Sequence, residues 1–298
     1  MLLKVGFMKN NMKTILVQIA CRLDKEIKKT IIDLYAKADN PNEIEVIIIN
    51  QDFENDTWKQ SDFPDSVTLI NIDETKTRNL AHTRSFCKLY ITPSHKYFMN
   101  IDAHSRFDEH WDTILITAYE NYGKKCMISV YPKGYRVTPE GNDIIIRDDY
   151  SFAINHFNVD KNGVFRIEAI PVTTDKKYHR SLVAGGFHFT TIDWVWEVGY
   201  DQYCEWAEHE LSISIRTYCH GYDIVSFHIR PIYHLYDHTQ RKSIKSPTFN
   251  YGINSKERML SLMMGENKTF LENVYPLGNI RTLDDFEKEY DFKISQHL

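Results

Sequence analysis

Apolar residues recur along this chain in two periods, and the opening segments alternate between them. Thr14 to Ala20 reads as a strand. About Asp24 to Ala38 reads as a helix, because Ile27, Ile31, Leu34, Tyr35 and Ala38 recur at helical spacing. Ile44 to Ile49 is a second strand, and its continuous β-branched run Val46-Ile47-Ile48-Ile49 suits a strand buried on both faces. Val67 to Ile72 predicts another strand, the segment after Arg78 a helix, and Lys96 to Ile101 a strand ending at Asp102. Trp111, Ile114, Leu115, Ala118, Tyr119 and Tyr122 then line one helical face before Gly123 stops it, and Met127 to Tyr131 returns to strand. Such alternation predicts a mostly parallel sheet flanked by helices.

Beyond Pro132 the pattern loosens. Gly134, Pro139, Gly141, Asn142 and Gly163 mark an excursion of short strands and turns to about Asp175, suited to a subsite or lid. Leu211 to Ile215 fits a strand by alternation and a helix by the spacing of Leu211, Ile215 and Tyr218. Lys256 to Met264 and Thr282 to Tyr290 each predict a short helix, the second opened by Thr282 and Asp285 as a capping pair. No repeat, low-complexity tract or Pro-rich linker divides these segments, so one domain with an appended C-terminal segment is expected.

Composition narrows the classes. With 298 residues, 42% of them hydrophobic, the chain buries a core without disulfide or structural metal. A formal charge of -5 provides no overall field for a polyanion, which excludes nucleic acid as the expected partner. Cys21, Cys87, Cys126, Cys204 and Cys219 form no CxxC pair, which suits a reducing compartment. No apolar stretch approaches the ~20 residues needed to cross a bilayer. Met1 to Met12 is interrupted by Lys4, Lys9 and Asn10 and does not read as a signal peptide. The expectation is a cytoplasmic protein.

Candidate chemistry concentrates at strand ends, where ligands of open α/β sheets gather. Asp102 closes the apolar run Tyr97 to Ile101, and His104 follows two positions on, so in extended backbone the two side chains share a face. An oxygen and a nitrogen ligand suit Mn²⁺ or another first-row divalent ion, whose open positions can take a nucleotide diphosphate. A turn cap beside a surface histidine is the bland alternative. Gly185 and Gly186 offer close backbone approach to a sugar, or simply a tight turn. Glu205, Glu208, His209 and Glu210 surround Trp206 and could hydrogen-bond sugar hydroxyls or open a helix; any of His228, His234 and His238 could complete a metal site.

Taken together, several blocks resemble glycosyltransferase family 60. They are Ile19 to Asp24, Ala38 to Pro41, Arg78 with Arg84, Asp102 to Phe107 with Trp111-Asp112, and Tyr131-Pro132. The later ones are Ala184 to Phe189, Glu197 to Asp201, Ser214 to Asp223, Tyr233-His234 with Tyr236, and Gly278 to Leu283. The chain departs from the family at Arg22-Leu23, at Asn79-Leu80 where the family has Gly-Pro, and at Glu208-His209-Glu210 where it has Gly-Glu-Glu.

The resemblance implies a GT-A domain over residues 13–244, with 245–298 packing on the same body, and a helix from Glu210 to Cys219. It implies Mn²⁺, or another divalent cation, on Asp102, His104 and His234, and a UDP-sugar donor. Asp102, His104 and Glu210 would carry catalysis. Arg78 and Arg84 would contact nucleotide or diphosphate, with Arg84 alternatively a structural ion-pair partner, and Gly185, Gly186 and Glu210 would form the sugar pocket. The implied reaction is retaining transfer of N-acetylglucosamine from UDP-N-acetylglucosamine to an unidentified hydroxyl acceptor on a protein or glycan. A UDP-glucose or UDP-galactose transferase, or a non-catalytic sugar-binding protein of the same fold, are the alternatives.

Overall fold

A computed structural model describes residues 14–22, 24–52, 58–73, 79–146, 152–159, 165–172, 176–204, 206–237, 255–264 and 275–294. The first apolar runs become β1 (Ile15–Cys21) and β2 (Ile44–Asp52), parallel and joined through α1 (Ile27–Ala36). Alternation along β1 sorts its side chains between two cores. Ile15, Val17 and Ile19 pack with Ile27, Ile31 and Leu34 of α1, whereas Leu16 joins Phe98 and Trp194 on the opposite face. Burial on both faces is why such strands read as uninterrupted apolar runs. The helix begins later than expected because the Asp24 side chain accepts the Glu26 N–H at 2.9 Å and makes residues 24–26 an entry turn.

The chain continues through β3 (Val67–Asp73), α2 (Leu80–Ser85), β4 (Tyr97–Asp102), β5 (Ser105–Phe107), α3 (Trp111–Tyr122) and β6 (Cys126–Ile128). Gly123 takes a φ of 71° and ends α3 as its position predicts. The excursion contains β7 (Lys133–Val137), β8 (Asp143–Ile145) and the antiparallel pair β9 (Phe152–Val159) and β10 (Phe165–Val172). Then come β11 (Tyr178–Arg180), β12 (Phe187–Thr191), α4 (Asp193–Glu197), α5 (Trp206–Cys219), β13 (Asp223–Phe227), β14 (Ile232–Leu235), α6 (Ser255–Met264) and α7 (Leu283–Tyr290).

Eight strands form one sheet in the order β11-β13-β6-β12-β4-β1-β2-β3. The half from β4 to β3 is parallel throughout, while β12 runs antiparallel to both β4 and β6. A second sheet has the order β5-β14-β7-β8. Its strand β5 leaves directly from the end of β4, so the two sheets meet at Asp102.

Buried polar contacts fix the second half of the chain. Arg216, on α5, donates to the carbonyls of Gly199 at 3.0 Å and Pro276 at 3.2 Å, and Trp194 Nε1 donates to Thr217 Oγ1 at 2.9 Å. The carbonyl of Cys219 accepts the N–H groups of Ile280 and Arg281 at 3.0 and 3.1 Å, which joins the Ser214 to Asp223 block to the Gly278 to Leu283 block. On α6, Arg258 Nε donates to the buried Asp201 carboxylate at 3.0 Å, a pairing whose rupture typically costs about 3 to 5 kcal/mol. Thr282 and Asp285 form the expected reciprocal cap of α7. All five cysteines are buried, and among the described residues no helix is long and apolar enough to cross a membrane.

Candidate metal centre

Asp102 ends β4 with a quarter of its side chain exposed, at the carboxyl edge of the sheet. His104 does not share a face with it through extended backbone as the sequence predicts. Ala103 and His104 form a tight turn, closed by Ser105 Oγ donating to the Asp102 carbonyl at 2.8 Å. The turn swings the imidazole back toward the carboxylate, and β5 then pairs antiparallel with β14 so that His234 stands opposite Ser105. The Nε2 atoms of His104 and His234 are 2.9 Å apart, and Asp102 Oδ2 lies 3.0 Å from the second and 3.9 Å from the first. One strand register thus brings together the two histidines. Of the three downstream histidines, His228 is exposed and is not a member of the group, and His238 lies outside the described residues.

One carboxylate oxygen and two imidazole nitrogens, all within 4.8 Å of one another, are a donor set for a first-row divalent cation. Adjacent ligands about 2.1 Å from an octahedral ion are about 3.0 Å apart, so the two shorter separations fit one ion. Burial on its own would raise the Asp102 carboxyl. The hydrogen bond to His234 and the electrostatic pull of His104, His234 and the Arg84 guanidinium outweigh it and hold the group well below the usual carboxylate range. Behind the cluster, His104 Nδ1 meets Asp24 Oδ2 at 2.7 Å. Sequence reasoning missed Asp24, although β1 pairs with β4 in the register Ala20 to Asp102, so residues just beyond both strand ends are neighbours.

The turn is clamped by α1. Thr30 Oγ1 donates to the Ala103 carbonyl at 2.7 Å and accepts the Ser105 N–H at 3.1 Å, and Asp33 accepts the Phe107 N–H at 2.7 Å. Arg106 reaches Glu26 and, at 2.6 Å, Asp143 of β8. On the other side of His234, the Tyr236 ring lies 4.4 Å away and stacks on Tyr131 at 5.4 Å, with its hydroxyl donating to the Pro132 carbonyl.

Gly185 and Gly186 sit where neighbouring side chains would crowd a Cβ. At Gly186 it would come within 3.2 Å of Asp102 Oδ2, and at Gly185 within 2.8 Å of Glu210 Oε1. The groups these glycines approach are the protein's own carboxylates. Glu210 Oε1 accepts the Gly185 N–H at 2.6 Å. Burial pushes the Glu210 carboxyl up to about 7, against the pull of that N–H and of Arg84 and with the push of Asp102.

Arg84 is fully buried. Its guanidinium donates to Asp102 Oδ1 at 3.3 Å and to the Gly185 carbonyl at 2.6 Å, and lies 3.3 Å from His209 Nε2. That is ion-pair geometry with Asp102, and it engages both terminal guanidinium nitrogens within the protein. Burial first, and the Arg84 charge next, drive His209 far below its ordinary value, so its imidazole is neutral. Arg78 and Glu205 lie outside the described residues. Asn79, at a departure from the family pattern, caps α2 by accepting the His82 N–H at 2.8 Å.

The family model described as Glycosyltransferase (GlcNAc) matches residues 58–290. No curated protein matches the chain. Among solved structures, the crystal structure of GalNAc-T7 with UDP, GalNAc and Mn²⁺ is similar over 97% of this chain and 59% of that one, at 16% identity and a TM-score of 0.72. The crystal structure of S. aureus TarS 1-349 is similar over 74% of this chain and 60% of that one, at 9% identity and a TM-score of 0.51. These likenesses show a GT-A type fold, and the chain spans less than two thirds of either protein.

Proposed function

The chain belongs to the GlcNAc glycosyltransferase family, and from that premise we propose that it transfers N-acetylglucosamine from UDP-N-acetylglucosamine to a hydroxyl acceptor in a divalent-metal-dependent reaction that retains the anomeric configuration. The observation that carries the reading is the convergence of Asp102, His104 and His234 at the carboxyl edge of the sheet. These three residues would hold the ion, one carboxylate oxygen and two imidazole nitrogens being a set open to first-row divalent cations, Mn²⁺ among them. When bound, it supplies Lewis-acid charge against a diphosphate leaving group. The similar GalNAc-T7 structure, which holds UDP and Mn²⁺, supports the nucleotide and the metal.

Glu210 takes the donor sugar. One of its oxygens is tied to Gly185, which orients the other as an acceptor for donor hydroxyls. Gly185 and Gly186 keep the wall between that carboxylate and the ion one backbone thick. Arg84 is a positioning residue that holds Asp102, and Arg78 is assigned to the nucleotide on the family resemblance alone. The acceptor's proton leaves to the departing phosphate on the same face, so no separate side-chain base is required. Residues 13–244 form the transferase domain, and the bonds of Arg258 and Arg281 to Asp201 and Asp223 support assigning 245–298 to the same body.

Donor hydrolysis with Mn²⁺, measured across a panel of nucleotide sugars, tests the assignment. The expected order puts UDP-N-acetylglucosamine above UDP-glucose and UDP-galactose. Faster hydrolysis of either hexose overturns the donor, and UDP binding with no turnover or transfer leaves a sugar-binding protein instead.

A further inference from the structure

We propose that Asp24 is a positioning residue of the metal centre, a carboxylate that fixes His104 in the tautomer whose Nε2 lone pair faces Asp102 and His234. This rests on reading those three residues as metal ligands. Both oxygens of Asp24 are committed: Oδ1 accepts the Glu26 N–H at 2.9 Å, and Oδ2 stands 2.7 Å from His104 Nδ1. A carboxylate only accepts, so the imidazole proton belongs on Nδ1 and Nε2 is left as a donor of electrons. That atom points at His234 Nε2, 2.9 Å away. A ligand histidine whose far nitrogen is held by a carboxylate is both oriented and made more basic.

The rest of the turn does not depend on Asp24. The carbonyl of His104 accepts the Leu235 N–H and the Tyr135 hydroxyl, each at 3.2 Å, and the carbonyls on either side are held by Thr30 at 2.7 Å and 3.0 Å. With the backbone fixed by other partners, Asp24 governs the rotation of the ring and the site of its proton. It also fastens the ligand to the entry turn of α1, a link between the first helix of the chain and the ion.

The informative variant is Asp24→Asn. Its amide oxygen can still accept the Glu26 N–H, but its NH₂ then donates to His104 Nδ1 and drives the proton onto Nε2, toward the ion. The intact chain is titrated with Mn²⁺ alone, by the loss of the free-ion paramagnetic resonance signal, beside His104→Ala. The expected result is an affinity about 10- to 100-fold weaker. Nitrogen NMR of the metal-free protein is expected to move His104 from the Nδ1–H to the Nε2–H form, a shift that a merely structural cap would not produce. Should Asp24→Asn not fold, Asp24→Ser, which keeps an oxygen for the helix entry and cannot reach His104, takes its place with the same expected weakening. Wild-type affinity in the Asp24 variant while His104→Ala has lost the ion overturns the proposal and leaves Asp24 a helix cap. Wild-type affinity in His104→Ala overturns the metal-ligand reading itself.

Discussion

The Gly185-Gly186 pair separates two sides of the site with opposite electrical character. Toward Gly186, a carboxylate oxygen and two imidazole nitrogens crowd within 4.8 Å, donors of electron pairs turned on one another. Toward Gly185, the Glu210 carboxylate meets a backbone N–H, and the Arg84 guanidinium lies behind it. The Arg84 guanidinium serves both sides, pairing with Asp102 and donating to the Gly185 carbonyl, but only the first side gathers three electron-pair donors that an added cation would satisfy. In the proposed function, the diphosphate and ion take the first side and the uncharged sugar the second.

The strongest test of this division is Asp102→Ala, expected to abolish metal-stimulated UDP binding with the fold intact, as calorimetry of UDP with and without Mn²⁺ will read. Undiminished stimulation would erase the distinction between the two sides. Next, His234→Ala should weaken Mn²⁺ binding in the presence of UDP at least tenfold, whereas His228→Ala, at an exposed position, should leave it unchanged. The reverse result would transfer the ligand to another histidine.

On the other side, Gly185→Ala forces a Cβ to 2.8 Å from Glu210 Oε1. It should cost about 1 to 3 kcal/mol in urea unfolding and leave the affinity for Mn²⁺ alone nearly unaltered. A large loss of metal affinity would mean the sides are mechanically one. For Glu210→Gln the expected effect is on the pH dependence of stability. In the metal-free protein the Glu210 carboxyl is raised from its ordinary 4.5 to about 7, so the folded state holds that proton more tightly than the unfolded chain. Its contribution to stability is present below pH 4.5 and is lost as pH rises through 7. The glutamine variant, neutral throughout, should show a flatter urea midpoint between pH 5 and pH 8. An unchanged slope would mean that burial does not perturb Glu210.

Most of the parallel half of the sheet was legible because β1, β2 and β4 are buried on both faces and announce themselves by composition alone, whereas the edge strand β3 buries only Val67. Asp102 was legible for the same reason, as the first polar residue past such a run. The turn at Ala103-His104 was not, since no glycine or proline marks it and its hydrogen bonds come from Thr30 and Ser105. The tripartite centre was reached through family resemblance. The pairing of β5 with β14 that creates it joins two short strands whose register no local pattern records. Arg84 reads in the sequence as a diphosphate contact or an ion-pair partner, and its contact with Asp102 is legible only in the structure; Asp24 was passed over because its partner is a spatial neighbour 80 positions away.

The spacing of the two histidines has a kinetic corollary. His104 and His234 are 130 positions apart, so their encounter closes a long loop and belongs to the slow, nonlocal part of folding. A nascent chain carries Asp102 and His104 well before His234 has been synthesised. If the three residues hold the proposed ion, its high-affinity uptake belongs only to molecules in which β5 and β14 have paired, and ion binding during refolding would serve as a clock for the last stage of assembly.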